Sequence, residues 1–398
     1  MATQFLNRII LILLLETSFF SLRAQDSIQV KKQDSKWQVS GYITDMQVVS
    51  FQKIDSMTAT NLIHNRIDIQ YFPNDHLTFH AGVRNRIFFG NPVFNLPGFG
   101  NQIDAYYKND LIQLSKFWVN RNSLIINSVV DRLWADWNEG KWDIRLGKQR
   151  INWGKTLVWN PNDWFNTFNY ADFDYPERPG SDALRISYYP SGMSVIDLAV
   201  SPGRYKSESV SAIRFGLNKW DYDFQFLGGI YHQDAALGVG WSGNIGGLGF
   251  RGEGSWFKPY QNFPDSSGKV SATISMDYRA PDTWYFQGAV LYNSVDHAPQ
   301  NVEALIEAFT GNLSAKQLMP SEWSFFGEIS RDITPLLHAD LSVISGLDPA
   351  LVFIMPSISY SVTENFQVTG TGQAFLGKMS NQIEDVGNGV YFRFKYNF

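Results

Sequence analysis

The last nine residues, Val390 to Phe398, read VYFRFKYNF. Aromatic side chains stand at 392, 394, 396 and 398, with Arg393, Lys395 and Asn397 between them. A repeat of two belongs to an extended strand with two unlike faces. Chain ends are ordinarily polar and frayed, so an ending of this kind needs one face in an apolar medium and a partner for its backbone. A closed sheet provides both, because its last strand pairs with its first and no edge is left open.

The same period runs through most of the chain. Ile63, Ile67, Ile69 and Tyr71 alternate with His64, Arg66, Asp68 and Gln70, and Val270 to Tyr278 alternates with Ser271 to Arg279. The alternating segments are ~10–15 residues long, against an average near five or six for globular strands. A tilted strand that crosses a bilayer needs about 9–11. Short turn signals separate the segments, among them Pro73-Asn74-Asp75, Glu139-Gly140, Asn218-Lys219, Pro281-Asp282 and Thr363-Glu364. Long connections, roughly 91–122, 153–180 and 295–320, fall between these turns and never next to one another. The expectation is an all-β transmembrane antiparallel barrel of about 18 strands (16–18), with short periplasmic turns and long extracellular loops.

Composition agrees with a barrel. Aromatic residues make up 15% of the chain and charged residues 18%, while the mean hydropathy is −0.21. No apolar run reaches the roughly 18 residues of a spanning helix. The longest, Ile9 to Leu15 after Arg8, reads with Ala24 as a signal peptide over 1–24, followed by a short periplasmic segment over 25–36 and the barrel over 37–398. Its removal changes the formal charge from −5 to −6, which argues against nucleic acid as a partner. The absence of cysteine excludes a disulfide scaffold and thiolate chemistry. No metal or cofactor motif is found.

The stretch WNEGKW suggests a hairpin with Trp137 opposite Trp142, then Ala135 opposite Ile144 and Leu133 opposite Leu146. Trp137, Trp142, Trp284 and Phe398 are expected in an interfacial girdle above outer-membrane lipid. Asn127 and Asp131 fall on the lipid face unless a bulge intervenes, and Pro356 sits inside a strand pattern, where another bulge is the expected explanation.

The densest stretch runs from Arg145 to Ile186. Its Gly147-Lys148-Gln149-Arg150, Asn152-Trp153-Gly154, Asn160-Pro161-Asn162-Asp163 and Arg178-Pro179-Gly180 resemble porin-like outer-membrane families of Gram-negative bacteria, in the style of alginate-export and sugar-conducting barrels. The resemblance covers residues 131–190. It implies outer-membrane residence and a pore for small hydrophilic solutes, sugars or anions, with loop 153–180 folded inward as a constriction. The aromatic ending is similar to the signal read by the barrel-assembly machinery, through Phe392, Phe394, Tyr396 and Phe398. In this reading the pore and its constriction are lined by Arg66, Asp68, Arg84, Arg86, Arg145, Arg150, Asp163, Asp172, Asp174, Glu177 and Arg178, with loop carboxylates facing wall cations. Two other readings stay open: a plugged barrel with a structural, adhesion or polysaccharide-assembly role, and a barrel enzyme acting on lipid.

Overall fold

The computed structural model describes residues 35–398 apart from 53–56, 96–98, 105–109, 169, 171–174, 176, 262–266, 295–303, 306–307, 310–312 and 380–381. The expected leader and all but the last two residues of the segment after it lie outside the described residues. The compact unit is Trp37–Phe398.

Nineteen strands form one antiparallel sheet. They are β1 Trp37–Phe51, β2 Thr58–Asn74, β3 Leu77–Gly90, β4 Ser115–Arg121, β5 Leu124–Glu139, β6 Trp142–Gln149, β7 Ser181–Ser191, β8 Ser194–Ser201, β9 Val210–Lys219 and β10 Tyr222–Tyr231. The remainder are β11 Asp234–Ile245, β12 Leu248–Pro259, β13 Lys269–Arg279, β14 Trp284–Asn293, β15 Trp323–Thr334, β16 Leu337–Leu347, β17 Ala350–Ser361, β18 Phe366–Met379 and β19 Gln382–Asn397. Eighteen of them close a barrel. β19 pairs with β1 from Tyr42↔Asn397 to Phe51↔Asn388, and Gly41 and Phe398 exchange both backbone hydrogen bonds at 3.0 Å. A Cβ on Gly41 would run into the Arg66 backbone carbonyl of β2 and lie 2.8 Å from the Phe398 ring, so the bare backbone there admits both the β2 neighbour and the terminal aromatic across the seam.

β4 is the extra strand. β6 leaves the wall at Gln149, and β4 pairs with the upper part of β5 on the edge that β6 has vacated. β3 takes the other edge of β5. At the end of the barrel that holds Trp37 and Phe398 every connection is two to four residues, and the long connections all lie at the other end. One turn differs from expectation: Trp220 and Asp221, at φ 56° and 61°, make the bend, and Asn218 and Lys219 close β9 instead.

The alternation puts apolar side chains outside. Ile43, Leu146, Phe226, Leu237, Ile274 and Phe392 are exposed on the outer face, and Thr44, Arg66, Gln225 and Ser275 are buried inside. Two sequence readings are corrected here, the Trp137 hairpin register and the bulge at Pro356, and a third, the bulge near Asp131, is met. Trp142 pairs with Glu139 and Trp137 with Ile144, two residues from the expected register, because Gly140, at φ 59°, takes the first position of the turn. The faces survive a shift of two, so Trp137 and Trp142 stay outside. Asp131 is an added residue where β5 passes β3: Gly82 pairs with Arg132 and Val83 with Val130. This bulge turns both Asn127 and Asp131 inward, where they are 0% and 1% exposed. Pro356 needs no bulge. The β17–β18 register is the same on both sides of it, and the ladder lapses only at Met355–Pro356, where the ring meets the bare backbone of Gly372.

Parts of the inner wall are apolar. Ala289, Leu291, Phe326, Ile344, Phe353, Met355 and Phe375 point inward from β14–β18 and pack with Leu305, Phe309, Leu318 and Met319 of the 294–322 connection. A second core joins Met46, Leu62, Phe88 and Ile125 to Val93 and Ile103 of the β3–β4 connection. A third joins Ala183, Ala199, Ala212, Leu227 and Phe257 to Ile151, Trp153 and Trp164. The long connections therefore cover patches of inner wall, Trp159 of the β6–β7 connection joining the first core and Ala315 of the 294–322 connection the third, and hide apolar surface that the alternation alone would leave wet.

Candidate functional site

The connection between β6 and β7 crosses the interior. Leaving Gln149, it reaches β10 through Trp153, whose carbonyl accepts from the Gln225 amide at 2.6 Å. It meets β11 through the Asn162 amide and the Val239 carbonyl at 2.8 Å, and β12 through the Trp164 indole and Ser255 at 2.9 Å. Trp159 and Tyr170 pack edge-on against Phe326 of β15. The segment then returns: the Tyr42 hydroxyl of β1 donates to Glu177 at 3.0 Å, and Tyr175 donates to Asp131 of β5. A connection that touches strands around most of the circumference lies across the barrel, as the porin resemblance implied.

On the β1–β5 side the loop meets a guanidinium-rich wall. Arg66 donates to both oxygens of Asp131, at 2.7 and 2.5 Å, and to both of Asp68, at 2.7 and 2.9 Å. Asp68 also holds His80 at 2.8 Å. The Arg84 guanidinium stands 4.1 Å above the Tyr175 ring and 3.4 Å from His64 Nδ1. Arg86 donates to Asn127 at 2.7 Å. Arg132 donates to the backbone carbonyls of Glu177 and Arg178 and so ties the end of the loop to β5. Arg178 and Arg150 lie 4.2 and 5.6 Å from the Phe168 ring. Burial lowers the pKa of Arg150, and the Asp163 charge opposes that effect. Among the described residues of this region, six arginines (66, 84, 86, 132, 150 and 178) stand against three carboxylates (Asp68, Asp131 and Glu177).

Some candidates lie elsewhere. Arg145 pairs with Asp136 at 2.7 Å and stacks on Trp134 at 4.2 Å, nearer the short-turn end. Asp163 does not face the cation wall. It is fully buried inside the loop, where one oxygen accepts the Asn166 N–H at 3.1 Å and the other finds no hydrogen-bond partner. That burial raises its pKa to about 7, with the charge of Arg150 and the Asn166 N–H pulling the other way. Asp172 and Asp174 lie outside the described residues. Trp137, Trp142, Trp284 and Phe398 all belong to the outward face at the short-turn end, with Trp142 beside Tyr188 and Trp284 beside Phe286.

Sequence reasoning missed the residues that the fold makes central. In the sequence Asp131 shows only as out of phase. The adjacent charges Asp131 and Arg132 in one strand were the available sign of a bulge that aims both at the same side. No motif or periodicity in the sequence marks Asp197. It is 0% exposed and binds Arg185 at 3.1 Å and Arg214 through Nε at 2.8 Å. Beneath the loop, a cavity of about 400 Å³ is lined by Lys155, Tyr189, Val195, Arg214, Asn218 and Asp223 among others.

Solved structures share this fold. OccAB2 of Acinetobacter baumannii superposes with a TM-score of 0.57 over 91% of this chain and 98% of its own, at 10% identity. OccK8 (OprE) of Pseudomonas aeruginosa gives the same values. OpdK of Pseudomonas aeruginosa, crystallised with vanillate, gives 0.56 over 91% and 98% at 7% identity. The chain has the fold of outer-membrane porins. A family model described as protein of unknown function (DUF1302) matches residues 57–206, from β2 to just past β8. No curated protein matches.

Proposed function

We propose that this chain is a passive outer-membrane channel for small hydrophilic solutes, that it favours anions, and that the β6–β7 connection is its constriction. One observation carries the reading: the loop that crosses the barrel meets a wall on which, among the described residues, guanidinium groups outnumber carboxylates. A narrow passage with such a wall admits anions more readily than cations, because the field of fixed charges is least screened where little water intervenes. The arginine–aromatic stacks hold planar cations side-on to the passage, a geometry that suits carboxylate-bearing solutes. OpdK has been crystallised with vanillate, and a related class of solute is the one to try here.

The test is single-channel current from the refolded chain, Gln25 to Phe398, in a planar bilayer. Stepwise ohmic conductance with a reversal potential displaced toward the anion side in a salt gradient is the expected result. Arg84→Gln is expected to move that potential toward neutrality by several millivolts. A folded but silent protein would instead favour a plugged barrel with a structural role. The observation behind that second reading is the three separate cores that the long connections form with the inner wall.

A further inference from the structure

Glu253 enters the lumen from the middle of β12 and is 2% exposed. Its Oε1 accepts the backbone N–H of Lys155 at 2.5 Å and of Thr156 at 2.7 Å, and lies 2.8 Å from the Thr156 hydroxyl. Its Oε2 accepts the backbone N–H of Asn162 at 2.9 Å. With its amide nitrogen turned toward the carboxylate, Asn160 adds a contact of 3.2 Å. The neighbouring ammonium of Lys155 does not join this group and reaches toward Asp223, 3.9 Å away. Donors from both arms of the turn 155–162 therefore converge on one wall carboxylate.

This is an anion-binding nest filled by the protein's own side chain. Other wall groups steady the same segment: Ser255 donates to the Pro161 carbonyl at 2.9 Å, and the Gln225 and Asn162 amides make the bonds described above. Those are single, neutral hydrogen bonds. Glu253 alone takes three loop backbone N–H groups, and each of those bonds is charge-assisted. A carboxamide of the same shape could accept on one side only. Its NH2 would face a backbone N–H on the other side and leave it unsatisfied in a dry site.

We propose that Glu253 is the latch of the constriction: its negative charge, and not its bulk, holds residues 155–162 against β10–β12 and thereby sets the width of the passage. It is a positioning residue, acting on solutes through the loop, and the assignment of a passage rests on the channel reading above.

The decisive variant is Glu253→Gln, studied as the full mature chain by bilayer current and by limited trypsin digestion of the folded barrel. Glu253→Gln is expected to keep the gel mobility of a folded barrel, to raise the single-channel conductance about twofold with added open-state noise, and to become cleavable after Lys155, where the wild type resists. Unchanged conductance together with unchanged resistance at Lys155 overturns the latch. If the wild type itself is silent, the channel reading fails, and the trypsin comparison alone decides whether the latch exists. The chain has no cysteine, so a tether can be added cleanly. A Cβ on Gly240 would lie 2.9 Å from the Gln225 amide nitrogen, the end of a flexible side chain, and 3.0 Å from the Asn162 amide nitrogen, which makes Asn162→Cys with Gly240→Cys the pair to use, its oxidised form read against its own reduced form. Oxidising that pair in an otherwise wild-type chain is expected to leave the current as it is in the reduced form. In the Glu253→Gln background oxidation is expected to return conductance to the wild-type value. A current that changes on oxidation when Glu253 is present shows that the loop was not latched, and sinks the proposal even if Glu253→Gln fails to fold.

Discussion

Asp163 shows how one side chain records a compromise. Its turn signal was plain in Asn160-Pro161-Asn162-Asp163, and the turn forms: Asp163 donates its N–H to the Asn160 carbonyl at 3.0 Å and caps Asn166. The cost is a buried carboxyl oxygen without a partner. With a pKa raised to about 7, the docked loop binds a proton that the undocked loop has lost from about pH 4 upward. The contribution of Asp163 to docking is therefore strongest in acid and is lost as pH rises through 7, opposite in sign to that of the Glu253 carboxylate, which acid would discharge; a rise from 3.8 to about 7 amounts to ~4 kcal/mol once titration is complete. Asp163→Asn is expected to remove that dependence. The check is the noise of the open channel between pH 5 and pH 8: it should grow in the wild type and stay flat in the variant. The arginines follow a different logic. Arg66 is held by two carboxylates, one of them the bulge residue Asp131. Asp131→Ala would leave a buried guanidinium with half its acceptors, and a loss of ~3 kcal/mol in urea unfolding from detergent is expected.

At the scale of elements, β4 and the inward loops depart most from a plain barrel. β6 has only eight residues, too few to cover the edge of the sixteen-residue β5, because its chain turns into the lumen at Gln149. β4 fills the uncovered part, and the approach to it places Asp110 on Lys148 at 2.7 Å beside Asp182 at 3.1 Å. This pair explains why Lys148, whose strand phase points outward opposite Leu133, is nevertheless 3% exposed. Since β4 takes no part in ring closure, replacing residues 110–123 by a short Gly/Ser link is expected to leave a folded barrel. Lys148 should then become reactive to an amine label in the intact protein, and continued protection would show that something else covers it. The strands themselves were legible from the start, because a period of two with apolar residues on one side has a single solution in lipid. The register of the Trp137 hairpin was not, since a shift of two leaves both faces unchanged and only the position of Gly140 distinguishes the alternatives.

For the molecule as a whole, closure is the central fact. The ladder between β1 and β19 satisfies the backbone of the first and last strands, and in hydrocarbon no water would replace those bonds. Gly41 lies at this seam beneath the Phe398 ring. Gly41→Val is expected to slow refolding and to lower the fraction that runs as a heat-modifiable compact band by several-fold, with little effect on the unit conductance of the channels that do form. A normal folded yield would remove the seam argument. The sequence by itself determined the architecture: strand length, alternation, the placing of short and long connections and the aromatic ending all follow from local chemistry that repeats along the chain. It also identified Arg66, Arg84, Arg86 and Glu177 as residues to watch, by phase and by position in the loop. Only the tertiary structure decided what the interior looks like. Whether an inward residue faces water, another charge or a folded loop depends on contacts between positions far apart in the chain, such as Tyr170 and Ser342, 172 residues apart, and on a one-residue bulge that reverses the phase of Asp131. Such contacts leave no periodic trace, because each is made once, in one place, by chain that is neither strand nor repeat.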